Sequence, residues 1–533
     1  MLKKLPLGLQ SFRKIITEGY VYVDKTQFIY YLLAGAGNYF LSRPRRFGKS
    51  LLLDTISEVF SGDKELFKGL WLYDSDYTFA KHPVIRLDLS SLSNKSPEAL
   101  ENSLALELHK RIAEEELKIT ASLSSDLFKF LIEGLCQKYS QRVVVLIDEY
   151  DKPILDHISD VELAEANRTV LHSFYGILKS MDAHLKFVLI TGVSKFTKTS
   201  IFSGLNNLKD LTLARDYANI CGVTLEEFDA FFHAYIERLA SLDEFAAYDN
   251  VREEILAWYD GYSWDGKTKL LNPYSLLSCL DLQTIESFWY ASGTPKFLID
   301  LLKQKPESFL ELRNLKIRER VLDSFDVRSM EIEPLLFQTG YLTLKEVIYT
   351  KHPPVYVLDL PNQEVSEAFN LQIIAAFTGR NNTFTDNAYL RLAEALAAGD
   401  LKQVRDTLRG LFAAIPYQLQ VNQEAYYHSI FYAVMRLLGF DLEAEVSVAR
   451  GRIDAVLELN DKVYIIEFKY KQSPPEASAE NKQKLFAAAL AKGMAQIKDR
   501  GYPEKYAGSG KTVYLAAFAF LGRDEIEMCV EQL

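Results

Sequence analysis

The sequence predicts an α/β protein built on a parallel sheet covered by helices. Three observations point there. "QRVVVLIDEYDKP" (141–153) and "HLKFVLITGVSK" (184–195) are continuous, β-branched apolar runs, the mark of strands buried on both faces. Stretches with apolar residues at helical spacing separate such runs. "LSRPRRFGKSLLLD" (41–54) sets Gly-Lys-Ser between a short strand and a helix, the position of a phosphate-binding loop.

The elements follow in order. "NYFLS" (38–42) reads as a strand running into that loop, and "KSLLLDTISEVF" (49–60) as the helix after it. A strand at 84–89 precedes helices near 98–117 and 124–140. The buried run ending at Asp148 is the next strand, and a helix near 165–180 leads to the strand ending at Thr191. Strands alternating with helices imply the parallel sheet. At "TLEEFDAFFHAYIERLA" Thr224 opens a capping box, and helical segments dominate to about 345. That middle reads as a helical lid or a winged-helix-like module. The expected units are 1–220, 221–345, a connector at 346–414 with the strand "PVYVLDL", and 415–533. The last unit has a helix "NQEAYYHSIFYAVMRLLG", strands "GRIDAVLEL" and "KVYIIEFKY", a polar loop fit for disorder, a helix, and the strand "TVYLAAFAF".

A chain of 533 residues accommodates two to four domains. The net charge of -11 argues against a nonspecific nucleic-acid coat protein, though not against a local basic groove. The 4 cysteines are scattered without a C-x-x-C, which fits a reducing compartment and argues against a disulfide framework or a cysteine zinc site. The start lacks an apolar run of signal-peptide length, and "VYLAAFAFLG" is too short to cross a membrane. The expectation is a cytoplasmic protein with no membrane partner.

The first constellation is a nucleotide site. Gly48 permits close backbone approach, Lys49 reaches phosphates, and the Ser50 hydroxyl binds Mg²⁺. Gly-Lys-Ser alone is also what a basic turn before a helix looks like. Asp148 and Glu149 at the end of a buried strand add the missing chemistry: a metal held through water, and an attacking water oriented. Thr191 and Ser194, at the end of the next strand, are placed to touch the γ-phosphate or that water. Position 43, where the general motif wants glycine, is Arg43.

The second constellation is Asp454, then twelve residues, then Glu467-Phe468-Lys469. On adjacent strands joined at "LNDK" these three can meet, and residues 467 and 469 share a face. Two carboxylates suit Mg²⁺ or Mn²⁺, and a lysine beside them suits a metal-bound water. An amphipathic hairpin with a surface Glu–Lys pair gives the same pattern. Against that, Glu467 and Lys469 interrupt an otherwise apolar run, where a charge needs a reason. Glu424 and His428 lie i, i+4 on the preceding helix and share a face. Between 462 and 500, seven lysines and Arg500 face four acids, which suits a phosphate-tracking groove or a solvated helix face.

"YVDKT" (22–26), "SRPRRFGKSLLL" (42–53), "LIDEYDKPI" (146–154), "ITGVSKF" (190–196), "SGLNNLKDLT" (203–212), "WYDGYSW" (258–264), "NPYSLL" (272–277) and "ASGTP" (291–295) resemble the AAA-ATPase-like family of bacterial proteins with a C-terminal PD-(D/E)XK nuclease-like domain. The resemblance spans almost the whole chain. It implies a P-loop NTPase sheet, and a restriction-endonuclease-like α/β domain at the C-terminus. It makes Arg43 a family trait and gives Lys49, Ser50, Asp148 and Glu149 Walker-type roles. Arg45 and Arg46 then serve as extra cations for the nucleotide, as an arginine finger to a neighbouring subunit in a homo-oligomer, or as partners in salt bridges within the loop. Glu424 becomes a further metal ligand, and His428 a helper or a structural histidine. Gln496 is placed to touch the site or the DNA backbone. Some nucleases of this superfamily have a tyrosine one turn after that glutamine; here the position is Arg500, with Tyr502 beyond.

The resulting expectation is an ATP-binding, ATP-hydrolysing enzyme. Its C-terminal domain would be a Mg²⁺- or Mn²⁺-dependent nuclease, acting on DNA ahead of RNA and gated by nucleotide state. The alternative is an ATP-gated switch whose nuclease-like domain only grips nucleic acid or a partner. A small-molecule kinase would use the same loop but would leave Asp454, Glu467 and Lys469 unexplained.

Overall fold

A computed structural model describes residues 2–35, 37–195, 207–289, 312, 314–322, 331–351, 353–378, 382–413, 431, 435, 441–448, 451–459, 462–471, 478–506, 510–521 and 525–533. Within these, the chain divides into two units. One is Met1–Ser292 with Asn314–Glu364, the other Gly293–Arg313 with Val365–Leu533.

The first unit centres on a five-stranded sheet of β1 (Asn38–Ser42), β2 (Val84–Asp88), β3 (Val143–Asp148), β4 (Leu185–Gly192) and β5 (Lys209–Asp210). The order is β2-β3-β4-β1-β5, and every pairing is parallel. β3 is buried at all six positions, as its unbroken apolar run requires. Parallel pairing brings the C-terminal ends of β1, β3 and β4 to one edge, with Ser42 opposite Gly192. Ligands of open α/β sheets bind outside that edge. α1 (Phe12–Thr17) and α2 (Thr26–Ala34) precede β1, and between the strands lie α3 (Lys49–Ser61), α4 (Pro97–Glu114), α5 (Ser124–Tyr139), α6 (Lys152–Leu155) and α7 (Val161–Ser180). Phe128 of α5 stacks on Phe174 of α7 with ring centres 4.7 Å apart.

The helical middle has α8 (Leu225–Ala240), α9 (Val251–Tyr259) and α10 (Pro273–Leu282), which bury Phe228, Phe232, Ile255, Tyr259, Leu276 and Cys279 together. The capping box is present: Thr224 Oγ1 accepts from Glu227 N, and Glu227 accepts from Thr224 N. A three-stranded antiparallel sheet of β6 (Leu315–Arg318), β8 (Val355–Asp359) and β7 (Thr343–Ile348) belongs to the same unit.

The second unit holds a mixed sheet of β9 (Asp441–Val448), β10 (Gly451–Leu459), β11 (Lys462–Lys471), β12 (Thr512–Leu521) and β13 (Glu525–Gln532), in the order β13-β12-β11-β10-β9. Only β11 and β12 run parallel; the helix α11 (Ala479–Asp499) makes their crossover. Ile465, Ile497, Leu515 and Tyr502 form the core beneath α11. The four cysteines are free, and no helix among the described residues is long and apolar enough to cross a membrane.

Candidate functional site

The loop between β1 and α3 is shaped by residues the general motif lacks. Arg43 is fully buried. Its guanidinium donates to the carbonyls of Ser42 (2.8 Å), Thr212 (3.0 Å), Tyr217 (3.1 Å) and Ala218 (3.5 Å), and lies 4.2 Å over the Trp264 ring. Burial pushes it down to about 10, so it remains a cation at neutral pH. Phe47 packs edge-on against Tyr262 and Trp264. Arg46 and Gly48 both have positive φ, +68° and +90°, which turns the chain into α3. No side chain caps the α3 N-terminus, so its first amides are open to an anion. Lys49 Nζ donates to the carbonyls of Arg43 (2.8 Å) and Pro44 (2.9 Å). Burial lowers the Lys49 pKa, while the charges of Asp148, Glu149 and Asp151 oppose that shift.

Across from the loop, Asp148 Oδ1 accepts from Thr191 Oγ1 (2.7 Å) and from the Glu149 amide (3.0 Å). Glu149 has φ +48°, the left-handed region that a non-glycine residue enters at a cost. Desolvation raises its pKa, and Lys49 and Arg45 pull it back. Asp151 accepts from Ser194 N (2.6 Å), Ser194 Oγ (2.5 Å) and Val193 N (3.1 Å). The hydroxyls of Thr191 and Ser194, expected from the sequence to touch the γ-phosphate or the attacking water, are each engaged by one of these acids in the structure. Both residues are fully buried. The reason is physical: carboxylates taken out of water need donors.

A polar cavity of about 430 Å³ lies between these walls, lined by Arg45, Arg46, Lys49, Ser50, Glu149 and Lys152 among others. Four cations and one acid thus converge. Neither Arg45 nor Arg46 forms an ion pair among the described residues, and Arg46 lies 4.6 Å over the Tyr274 ring. Sequence reasoning missed Lys152. Its only signal was its place in "LIDEYDKPI", and Nζ is held by both oxygens of Asp156, at 2.7 and 2.8 Å.

In the second unit the antiparallel ladder of β10 and β11 reaches Ala455 opposite Ile466, and the next positions are Asp454 and Glu467. Asp454 Oδ2 accepts from the Phe468 amide at 2.9 Å. Glu467 is fully buried; Oε1 lies 2.7 Å from Lys469 Nζ, and Oε2 is buried with no hydrogen-bond partner among the described residues. Burial, then the charge of Asp454, pushes Glu467 up to about 7; Lys469 and Arg500 act against that. α11 lies over the site: a Cβ on Gly493 would sit 3.0 Å from Ala517 Cβ and 3.6 Å from Lys469 Cγ. Gln496 follows one turn on, half-buried, and exposed Arg500 donates to Tyr502 Oη at 3.1 Å. The structure thus brings Asp454, Glu467 and Lys469 together, with Arg500 close enough to act on both acids. Glu424 and His428 lie outside the described residues. Among those described, no group of three acids, histidines or cysteines forms a metal site. The pair Asp454 and Glu467 is an all-oxygen donor set with one buried oxygen unused among the described residues, which fits a hard divalent cation. Ser50 and Asp148 offer the same oxygen chemistry beside Lys49.

Residues 6–202 match the family described as a predicted AAA-ATPase, and residues 422–528 match the PD-(D/E)XK nuclease superfamily. A protein of Azotobacter chroococcum mcd 1, named an uncharacterized protein in the vnfD 5′ region, is 36% identical over 542 residues, covering 100% of this chain and 99% of that one. No solved structure matches the chain.

Proposed function

The chain belongs to the AAA-ATPase-like family and carries a PD-(D/E)XK nuclease superfamily domain at its C-terminus, and from that premise we propose an ATP-hydrolysing protein whose C-terminal domain is a divalent-metal-dependent nuclease governed by nucleotide state. The observation that carries the nuclease half is the buried oxygen of Glu467, unpartnered among the described residues, beside Asp454, with Lys469 at 2.7 Å from the other oxygen. An orphaned buried acceptor costs stability, and a bound cation would offset that cost.

In the first unit Lys49, with Arg45 and Arg46, binds the phosphates, and Lys152 adds a fourth cation. Arg45 and Arg46 act on the nucleotide of their own chain, since both line the same cavity as Lys49. Ser50 and Asp148 hold Mg²⁺. Glu149 orients the attacking water, and Thr191 fixes Asp148 rather than touching phosphate. In the second unit Asp454 and Glu467, with Glu424 as the further ligand the family resemblance implies, would hold Mg²⁺ or Mn²⁺, which would supply an activated water for attack on a phosphodiester. Lys469 positions that water, and Gln496 and Arg500 approach the nucleic-acid backbone. DNA is the first substrate to test, RNA the second.

The test pairs two assays on the full chain. ATP hydrolysis is measured with Lys49→Ala as control. Cleavage of DNA and RNA is measured with Mg²⁺ or Mn²⁺, with Lys469→Ala as control. A wild type that cuts nothing in any nucleotide state sinks the nuclease half and leaves a nucleotide-driven binding switch. Cleavage that survives Lys469→Ala sinks the assignment of the site.

A further inference from the structure

Three aromatic rings form a patch on the surface of the first unit. Tyr30 and Tyr31 are neighbours on α2, and Trp71 opens a short 3₁₀ turn, Trp71–Asp74. The ring centres are 5.7 Å apart for Tyr30 and Tyr31, 5.3 Å for Tyr30 and Trp71, and 6.2 Å for Tyr31 and Trp71. Tyr31 is 47% exposed and Trp71 41%, so two of the largest apolar side chains in the unit forgo burial side by side. Single exposed apolar residues are ordinary, but a contiguous group of rings marks a contact surface.

The fold holds these rings in place. The Trp71 amide donates to Asp24 Oδ2 at 2.7 Å, and the Leu72 amide donates to Thr26 Oγ1 at 3.0 Å, with Leu72 itself buried. The turn is thereby fastened to the start of α2. Tyr30 Oη donates to Asp76 Oδ1 at 2.7 Å, and Gln27 Nε2 donates to Tyr31 Oη at 3.1 Å. Both phenol edges and the backbone under the indole are fixed, while the Tyr31 and Trp71 rings stay open to solvent. A surface ordered in advance loses less entropy when it binds.

The surroundings are acidic. Asp76 sits at the Tyr30 hydroxyl and Asp24 at the Trp71 amide. Asp74 is three residues after Trp71, the spacing at which side chains eclipse on a 3₁₀ turn. Among the described residues, none of these three carboxylates is in an ion pair and no cation lies over any of the three rings.

We infer that this patch docks an arginine-bearing segment of a partner protein. A guanidinium stacks on an aromatic face and forks to a carboxylate, and the patch offers both at once. Single-stranded nucleic acid would stack its bases on the same rings, but its phosphates would meet three carboxylates with no cation paired to them. The inference is independent of the nucleotide and nuclease readings, because none of these six residues lines the polar cavity or belongs to the second unit.

The test uses the full chain and fluorescence anisotropy of a labelled peptide, Gly-Arg-Gly-Arg-Gly. A peptide with citrulline for arginine keeps the shape and removes the charge. Wild type should bind the arginine peptide about tenfold or more tighter than the citrulline one. Trp71→Ala and Tyr31→Ala should each weaken the arginine peptide about fivefold or more, and Trp71→Phe, which keeps a ring, should recover part of that loss. Asp74→Asn should weaken the arginine peptide and leave the citrulline peptide unchanged. Both tested rings are exposed, so the variants should keep the wild-type melting temperature and ATP binding. Equal binding of the two peptides by wild type overturns the proposal. So does arginine-peptide binding that survives both Trp71→Ala and Tyr31→Ala, which would reduce it to attraction by the net charge of the chain. Binding of an oligothymidine or of maltotriose that Trp71→Ala abolishes, with no binding of the arginine peptide, would assign the patch to nucleic acid or sugar and overturn it as well.

Discussion

Lys469 Nζ lies 2.7 Å from one oxygen of Glu467, while the other oxygen of that carboxylate is buried with no partner among the described residues. One ammonium cannot replace the water the group has lost, and Asp454 adds a like charge, so Glu467 is pushed up to about 7. The sign follows from linkage. The folded-state value is above the unfolded one, so the fold favours the protonated form. That contribution is fully present below the unfolded carboxylate pKa and is lost as pH rises through about 7. With divalent ions chelated, the melting temperature should fall between about pH 5 and about pH 8. Glu467→Gln, which mimics the protonated group, should flatten that fall. Mg²⁺ added at the upper pH should raise the melting temperature of wild type and not of the variant. A variant with the wild-type slope would refute the account.

The Thr191 hydroxyl is the donor that fixes Asp148, at 2.7 Å between two buried groups. Thr191→Val keeps the shape and removes the proton. A buried hydrogen bond to a charged group contributes about 1.5–3 kcal/mol, so urea denaturation should show a loss in that range. ATP hydrolysis should fall more than ATP binding, because the loop cations are untouched. Thr191→Ser should recover most of both. If Val binds and hydrolyses ATP like wild type, Thr191 has only a packing role.

Much of this was legible in the sequence, for reasons tied to particular residues. Val143–Asp148 reads as a buried parallel strand because no polar residue interrupts it until the acid. Thr224 and Glu227 announce their own helix start through local hydrogen bonds. Asp454 and Glu467 follow from hairpin arithmetic, since antiparallel strands joined by a short turn set fixed pairs opposite. Arg43 was not legible, because its partners Thr212 to Ala218 lie some 170 positions away and no local pattern encodes them. The pairing of Ser194 with Asp151 was not legible for a related reason: the donor needs of Asp151 emerge only once its burial is known. Lys152 carries no signal for the nucleotide site, since its spacing points only to its i,i+4 partner Asp156, and only the cavity shows that it lines the site.

Glu149 has φ +48°, and the backbone there favours glycine. Glu149→Gly and Glu149→Ala both remove the carboxylate and should both abolish hydrolysis while leaving ATP bound. They differ only in strain. An L-residue in the left-handed region costs about 1–2 kcal/mol relative to glycine, partly offset by the entropy glycine loses on folding. The glycine variant should therefore unfold at higher denaturant than the alanine variant. If alanine is equal or better, the conformation carries no strain. If either variant hydrolyses ATP at the wild-type rate, Glu149 does not orient the water.

Arg43→Gly restores the residue that the general phosphate-loop pattern wants, and it should damage the protein. The guanidinium meets four backbone carbonyls and the face of Trp264 in a site closed to water. Glycine removes the donors and leaves those carbonyls without them, together with a void beside Trp264. Truncations that orphan buried polar groups or open cavities cost about 2–5 kcal/mol, enough to unfold a domain of ordinary stability or to bring it near its limit. Lysine is no substitute: it keeps the charge but lacks the planar fork that reaches Ser42, Thr212 and Tyr217 at once. Denaturant midpoints should therefore order as wild type, then Arg43→Lys, then Arg43→Gly. ATP binding at low temperature should fall in the same order, because Lys49 Nζ is held by the Arg43 and Pro44 carbonyls. A glycine variant that binds ATP better than wild type would mean that Arg43 only hinders a conventional loop.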